Sequence, residues 1–168
     1  MSPRVDGSLL CRECGLCCQG ILHGSVKIRP DEAPAVRRLG LTIVETDDGP
    51  TFPQPCLCHR GDRCSVYAER PSACRDYRCK LLKGYEAGRL TWEESSQHVR
   101  QAKELIASLH RRLGPESAAT GLWQRLQGHE ALGDAPGHGE LLLEVAALLV
   151  ISQTHFHEHA QPMETFGP

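Results

Sequence analysis

The chain has 168 residues, of which 40% are hydrophobic and only 5% are aromatic, and its formal net charge at pH 7 is −2. This length fits one domain, or one domain with a helical extension. The small net charge argues against a general polyanion-binding protein, so we expect no nucleic-acid partner. A modest aliphatic core would gain stability from a fixed inorganic centre, above all in the glycine- and proline-rich first half.

The first ten residues contain no apolar segment of the kind that a secretory signal peptide requires. We therefore expect a cytoplasmic chain with reduced thiols, in which closely spaced cysteines are metal ligands and not disulfides. The longest apolar run, residues 141–151, is interrupted by Glu144 and is too short to span a bilayer, so we expect no membrane association.

The first half of the chain predicts short elements around a β-hairpin. Residues 1–10 are predicted to be a flexible lead-in, and residues 11–20 a cysteine-bearing turn closed by glycines. Alternating or β-branched residues predict short strands, and Pro30 with the acids after it predicts a helix start. In chain order these elements are a strand at 25–28, a helix from Pro30 to Gly40, a strand at 41–46, a turn at 47–50 and a hairpin partner at 51–52.

The chain then changes from loops to helices. Residues 53–66 are predicted to be loop-like, and Arg70-Pro71 forces a bend before a helix from Ser72 to Gly88. A capping box at Thr91–Glu94 opens an amphipathic helix that ends at Gly114. Its apolar stripe follows alternating steps of three and four, at Val99, Ala102, Ile106, Leu109 and Leu113.

The remaining residues predict two more helices. A weaker helix after Pro115 carries Leu122, Trp123 and Leu126, residues 133–139 form a loop, and the last helix, 140–157, is apolar nearly all round and so is expected to be buried. The fold class is therefore α+β, mainly helical. We predict a cysteine-rich module with a short β-hairpin at 9–83, a helical extension of about three helices at 84–160, and a disordered tail at 161–168.

The nine cysteines fall into two blocks that are far apart in the sequence. Four lie within eight residues, at Cys11, Cys14, Cys17 and Cys18. Five more lie within 24 residues, at Cys56, Cys58, Cys64, Cys74 and Cys79. Two cysteines three residues apart can converge on one metal ion, and Gly15 allows the tight turn that this requires. The two blocks therefore predict one shared site that the fold brings together.

The vicinal pair Cys17-Cys18 is informative about the kind of centre. Adjacent side chains diverge, so the pair indicates either two metals close together or one bridging thiolate. Eight thiolates would satisfy two tetrahedral zinc sites, a four-iron cluster with one zinc, or a single centre with reserve thiols. Cysteine ligands alone suit both zinc and iron–sulfur chemistry, so the residues leave the metal open.

The second block is rich in basic residues. Residues 56–83 contain seven basic and three acidic side chains. This local positive charge would offset two Zn²⁺ ions held by eight thiolates, and we expect it to help keep the thiols deprotonated. A nucleic-acid patch is the alternative, but few aromatic residues lie among the basic ones.

The order and spacing of these residues resemble a known family over residues 9–83. The motif Cys11-x2-Cys14-x2-Cys17-Cys18, followed by Tyr67, Arg70-Pro71 and the late cysteines, is similar to the CxxCxxCC zinc- or iron-chelating family, also called YkgJ-type cysteine cluster proteins. A similar cysteine set occurs in flagellin lysine N-methylases. The resemblance implies metal binding by about eight cysteines and does not imply a defined activity.

Carried over position by position, the resemblance implies a set of ligands and of supporting residues. The ligands are Cys11, Cys14, Cys17, Cys18, Cys56, Cys64, Cys74 and Cys79. Cys58 departs from the family pattern and is the spare cysteine. Tyr67 and Arg70 are expected to orient the ligands from outside the coordination sphere, although simple core packing would also explain Tyr67.

Three functions remain open at this point. The first is a cytoplasmic metalloprotein in which Zn²⁺, or alternatively an iron–sulfur cluster, is structural or sensory. The second is an iron–sulfur redox or group-transfer enzyme, and the third is a metal-handling accessory protein. No catalytic motif is present, so catalysis would depend on the metal centre itself. The same residues allow a dimer face at 141–151, but packing against the α-helical stripe explains that run equally well.

Histidines are set aside as ligands. His59 is expected to be an ordinary loop residue. His155 and His159 could share a helix face with His157 between them, but a polar helix end explains this triplet better.

Overall fold

The computed structural model describes residues 5–114, 121–130 and 137–158. Most of these residues are helical, with small antiparallel sheets in the first half and long helices packed together in the second. The predicted α+β, mainly helical class is confirmed. The predicted helix start at Pro115, most of the 133–139 loop, His159 and the tail from residue 161 lie outside the described residues.

The chain begins with helix α1 (Gly7–Cys14), so the predicted lead-in is wrong for residues 7–10. Asp6 caps this helix because its side chain accepts a hydrogen bond from the Ser8 amide at 3.0 Å. Gly15 ends the helix in the left-handed conformation, with φ of 67°. Helix α1 could not be predicted from the sequence because eight residues with a single buried side chain, Leu10, show no clear helical periodicity.

The predicted hairpin is confirmed within a three-stranded sheet, although its first strand begins at Val44 and not at residue 41, and its pairing with the strand at 25–27 was not predicted. The strands of this sheet are β1 (Ser25–Lys27), β2 (Val44–Thr46) and β3 (Gly49–Pro53), and β3 lies in the centre, antiparallel to both neighbours. A 3₁₀ turn (Pro30–Glu32) leads into α2 (Ala33–Arg38), which confirms the predicted helix. These elements enclose a small hydrophobic core formed by Ile28, Ala33, Val36, Leu41, Phe52 and Cys58.

The late cysteines lie on short elements. A two-stranded ribbon of β4 (His59–Arg60) and β5 (Arg63–Cys64) precedes a 3₁₀ turn (Tyr67–Glu69), and helices α3 (Ser72–Asp76) and α4 (Lys80–Glu86) follow. The predicted single helix from Ser72 to Gly88 is therefore wrong. It breaks because Cys79 is extended and caps α4, its sulfur accepting a hydrogen bond from the Leu82 amide at 3.4 Å.

The second half is built on α5 (Trp92–Leu113), whose capping box is confirmed. The Thr91 hydroxyl accepts from the Glu94 amide at 3.2 Å, and the Glu94 carboxylate accepts from the Thr91 amide at 2.8 Å. Helices α6 (Leu122–Glu130) and α7 (His138–Ile151) follow, and a π-helical turn (Ser152–Phe156) continues α7. The predicted stripe is confirmed at its four buried positions, Val99, Ala102, Ile106 and Leu109, and Leu113 is partly buried.

The last helix is only half buried, which corrects the prediction of a buried helix. Leu141 and Leu148 face the core, whereas Leu143 is 72% exposed and Val150 is 63% exposed. Glu144 belongs to the packed side, because its carboxylate accepts hydrogen bonds from the α5 residues Ser108 and Arg112. The helix is apolar nearly all round, so its sequence does not indicate which side packs against α5.

The helix over His138–Phe156 has 19 residues and a mean hydropathy of 1.3, so by length and composition alone it could cross a membrane. Core helices of soluble proteins can have the same length and composition, but they are mostly buried. In this helix, 22% of the apolar segment is buried inside the protein. The sequence excluded a membrane span because the apolar run at 141–151 is too short. The helix in the structure is longer than that run. That reason no longer holds, and the absence of membrane association stays a prediction.

The larger hydrophobic core joins the first cysteine block to the helices. Leu16, Ile21 and Leu22 are all at most 2% exposed and pack in one cluster with side chains of α4 to α7. The Trp123 indole N–H also donates to the Ile21 carbonyl at 3.2 Å. The helical half therefore fixes the position of the first block, and the proposed boundary after residue 83 stays a prediction.

Candidate metal centre

The fold brings the two cysteine blocks together. The Cys56 amide donates to the Cys18 carbonyl at 2.8 Å, which ties the second block directly to the first. Two cavities lie between the blocks, one of about 50 Å³ and one of about 300 Å³. Every predicted ligand lines at least one of them: Cys11, Cys14, Cys17, Cys18 and Cys79 the smaller, and Cys11, Cys17, Cys18, Cys56, Cys64 and Cys74 the larger.

Four thiols cluster around the end of α1. Cys11 and Cys14 lie one turn apart on α1 and so share a face of that helix. Cys17 lies two residues after Gly15, which ends α1, and Cys79 caps α4. Burial raises the pKa of the Cys14 and Cys17 thiols, and repulsion between these two and from Cys79 raises it further. We call Cys11, Cys14, Cys17 and Cys79 the first thiol group.

The other four thiols form a second cluster. Burial raises the pKa of Cys18 to about 12, and repulsion from Cys56, Cys64 and Cys74 adds to the effect. Burial likewise raises the pKa of Cys56 to about 11 and that of Cys74 to about 12. We call Cys18, Cys56, Cys64 and Cys74 the second thiol group. The adjacent residues Cys17 and Cys18 thus interact most strongly with different thiols, although each also interacts with Cys11.

In the metal-free chain, burial raises the thiol pKa of most predicted ligands, namely Cys11, Cys14, Cys17, Cys18, Cys56, Cys74 and Cys79. Only Arg70 and Arg78 lower the pKa of Cys11, and burial outweighs both. Arg78 also pairs with Glu86 at 3.2 Å, which uses part of its charge elsewhere. The arginines thus act in the expected direction but are outweighed by burial in the metal-free chain, so a metal ion must displace the Cys11 proton, and their effect on a metal-bound centre stays a prediction.

Tyr67 and Arg70 tie the two blocks together beside Cys11. The Arg70 guanidinium stacks on the Tyr67 ring at 3.4 Å, and its Nε donates to the Tyr67 carbonyl at 2.8 Å. A hydrogen bond from Arg70 lowers the pKa of the Cys11 thiol, although burial has the larger effect. The Tyr67 hydroxyl donates to the Ser8 carbonyl on α1 at 3.2 Å. Their role in orienting ligands stays a prediction.

Cys58 adjoins the second thiol group, because a hydrogen bond joins its side chain to that of Cys56. It is 5% exposed, packs in the small core under the sheet, and its thiol donates to the Leu39 carbonyl at 3.5 Å. It lines neither cavity. Core packing accounts for its burial.

The donor set fits a thiolate-bound metal, although its side chains do not converge on a single point. In the part of the chain that the structure describes, no three His, Cys, Asp or Glu side chains are placed to hold a metal ion as they stand. Neutral thiols do not attract one another, so rotation of the cysteine side chains must accompany binding. Two groups of four sulfurs match the ligand number of tetrahedral zinc or of an iron–sulfur cluster.

Polar residues that the sequence did not single out surround the larger cavity. The His23 ring contacts Tyr77 edge-on at 4.9 Å, and Gln54 follows strand β3. His59 packs against Gly15, where a Cβ atom would lie 2.7 Å from its Nε2. The sequence offered a signal only for His59, through its neighbour Cys58.

His155, also set aside as a ligand, stacks on His98 at 3.7 Å.

Comparison with protein-family models matches residues 10–103 to a family described as "CxxCxxCC: Putative zinc- or iron-chelating domain". The matched residues make up more than half of the chain, include all nine cysteines and extend into α5. Comparisons with curated proteins and with solved structures gave no match.

Proposed function

The chain belongs to the CxxCxxCC family of zinc- or iron-chelating domains, and from that premise we propose that it binds two zinc ions, one in each thiol group, in a structural or sensory role. The observation that supports this proposal is that Cys17 interacts most strongly with Cys14 and Cys79, whereas Cys18 interacts most strongly with Cys56, Cys64 and Cys74. Cys11 interacts with both sets, and we assign it to the first because it lies one helical turn from Cys14. Four thiolates complete the coordination of zinc, which is typical of structural sites.

Each group joins segments that are distant in the sequence. The first connects α1 to the start of α4, and the second connects the turn at Cys18 to the β4–β5 ribbon and α3. Zinc supplies cross-links at these places when it is bound, because thiolate–zinc bonds replace weaker contacts. The small core under the sheet has only six buried residues, so such cross-links would add substantially to its stability.

An iron–sulfur redox or group-transfer enzyme is the second candidate, and one observation favours it. The cavity beside the second thiol group measures about 300 Å³, more than one ion inside a closed shell of four sulfurs occupies. A metal-handling role would use the same cavity-lining thiols.

Anaerobic titration of the reduced, metal-free chain with zinc tests the proposal, with bound metal and released protons counted together. At pH 8.5 ordinary thiols are about half ionised, so eight exposed ligands would release only about four protons. Buried thiols with raised pKa values keep their protons at that pH, so we expect a release well above four and close to eight, with saturation at about two zinc ions.

The same titration of Cys58→Ser tests whether the cysteine next to Cys56 is a ligand, and unchanged zinc and proton counts are expected because Cys58 lines neither cavity. Saturation at about one zinc ion with about four protons at pH 7 would contradict the two-site proposal. The apparent affinity should rise steeply with pH, since each raised pKa leaves another proton for zinc to displace.

A further inference from the structure

Cys58 is the cysteine that the two proposed zinc sites leave unused, and it adjoins one of their ligands. A hydrogen bond joins its side chain to that of Cys56. Its thiol also donates to the Leu39 carbonyl at 3.5 Å, which holds the sulfur in place beside Cys56. Two sulfur atoms within hydrogen-bond reach of each other can form a disulfide when an oxidant removes two electrons.

The backbone between the two cysteines keeps them close. The His59 amide donates to the Cys56 carbonyl at 2.9 Å, which closes a β-turn with Cys56 as its first residue and Cys58 as its third. Such a turn brings the two Cα atoms closer than an extended strand would, as disulfide geometry requires. Leu57, which lies between them, is 54% exposed, so the tip of the turn is at the surface, where the backbone can adjust.

The two sulfurs differ in how an oxidant can reach them. Cys56 is partly exposed and lines the larger cavity, whose volume of about 300 Å³ far exceeds the space that a water-sized molecule needs. Cys58 is 5% exposed and lines neither cavity. A small oxidant therefore reaches Cys56 first, and Cys58 is placed to react with the oxidised Cys56 beside it.

We propose that Cys56 and Cys58 form a disulfide in response to a peroxide, and that this bond removes Cys56 from the second thiol group. The inference rests on the proposed function, because it takes Cys56 as a zinc ligand. With only Cys18, Cys64 and Cys74 left, the second thiol group has lost one of four ligands and releases its zinc. The first thiol group keeps all of its ligands.

The reaction balances in two steps. The Cys56 thiolate attacks one oxygen of hydrogen peroxide and the O–O bond breaks, which oxidises Cys56 to a sulfenic acid and leaves a hydroxide that takes up a proton. The Cys58 sulfur then attacks the Cys56 sulfur, the S–O bond breaks, and the hydroxide leaves as water with the Cys58 proton. Counted from the protonated thiols, two thiols and one peroxide give one disulfide and two waters.

The small ring that this disulfide closes suits a reversible switch. Cysteines only two residues apart form a strained disulfide, and strained disulfides are reduced more easily than structural ones. Excess thiol should therefore restore both cysteines, after which the second thiol group can bind zinc again.

Treatment of the zinc-loaded full chain with hydrogen peroxide, followed by alkylation and tryptic peptide mapping, tests the proposal. Trypsin leaves both cysteines in one peptide, residues 39–60, which contains no other cysteine. We expect this to be the first peptide that resists alkylation, with a mass two hydrogens lower. About one zinc ion per chain should be released at the same time, and it should bind again after treatment with excess thiol.

Cys58→Ser separates this route from general oxidation. The serine hydroxyl can keep the hydrogen bond to Cys56, but the second sulfur is missing, so Cys56 should be trapped as a sulfenic acid and then oxidised further to a sulfinic acid. Thiols do not reverse that product, so the variant should not recover the zinc of its second thiol group.

Ser65→Ala is the matched control. The Ser65 hydroxyl donates to the Cys58 carbonyl at 2.9 Å, so this variant also changes a contact of Cys58 but leaves both sulfurs in place. It should form the disulfide and recover zinc as the wild type does. Peptide mapping of the wild type needs neither variant, so the test remains valid if one of them does not fold.

Three results would overturn the inference. The peptide 39–60 could keep both alkylated thiols while other cysteines are oxidised, the first disulfide could join Cys56 to another ligand, or Cys58→Ser could recover zinc as completely as the wild type. Zinc content is measured before peroxide is added. A chain that holds no zinc but forms the disulfide between Cys56 and Cys58 would contradict the proposed function and leave this pairing standing.

Discussion

Removing zinc from the loaded protein is expected to unfold the cysteine-rich half of the chain. Strands in this half are only two to five residues long, and its separate core contains six buried residues. Structural zinc sites contribute about 10–16 kcal/mol each, which is as large as the whole stability of a typical domain. The sheet and ribbon therefore depend on the metal more than on their own packing.

Hydrogen exchange before and after anaerobic chelation measures this directly. We expect backbone protection in β1 to β5 to be lost, while α5 keeps part of its protection through Val99, Ala102 and Ile106 in the larger core. Reductant without chelator is the control, because it leaves the metal in place. Unchanged protection in β1 to β3 after complete metal removal would show that the sheet folds without the metal.

The second large effect concerns how metal is lost when cysteines are replaced in pairs. Cys14→Ser with Cys79→Ser removes two ligands of the first thiol group, so this double variant should still hold about one zinc ion. Cys14→Ser with Cys18→Ser removes one ligand from each group and should reduce bound zinc to near zero. The two variants carry the same number of substitutions. A difference in their bound zinc would therefore reflect which thiols share a metal and not how many cysteines were removed.

Zinc content after gel filtration, with circular dichroism to confirm folded helices, is the measurement for these pairs. The Cys58→Ser variant should hold as much zinc as the wild type, since Cys58 lines neither cavity and a serine hydroxyl can keep the hydrogen bond to Cys56. Equal zinc contents in the two double variants would contradict the division into groups, and would favour one shared centre with bridging thiolates.

Local patterns predicted the elements that local physics determines. The capping box at Thr91 and the stripe from Val99 to Leu109 needed only backbone amides and a helical period, and both are present. The hairpin of β2 and β3 followed from β-branched residues around Asp47–Pro50 in the same way. Each of these signals lies within a few residues of the structure that it specifies.

The errors share a cause in tertiary structure. Helix α1 is stabilised by a cap at Asp6 and by burial of Leu10 against distant helices. The break before α4 arises because Cys79 caps that helix with its sulfur, a use that a cysteine motif does not reveal. Leu143 looks like a core residue in the sequence, but it faces outward because α5 covers only the other side of α7.

For the site, the sequence identified the cysteines but not their environment. The motif supplied eight candidate ligands and the spare Cys58, and the spacing suggested that Cys17 and Cys18 diverge. Burial, which a local sequence pattern does not show, raises the thiol pKa values of Cys11 and Cys74 by more than the neighbouring arginines lower them. His23 and Gln54 also line the larger cavity, and no sequence pattern indicated this because tertiary contacts bring them there.

Metal analysis of anaerobically purified protein, together with its visible absorption spectrum, tests the central claim most directly. Two groups of four thiols predict a colourless protein with about two zinc ions per chain. A brown protein with near-stoichiometric iron and sulfide would replace zinc by an iron–sulfur centre in the same thiol groups. A folded protein without bound metal, whose stability is unchanged in Cys11→Ser, would contradict the account.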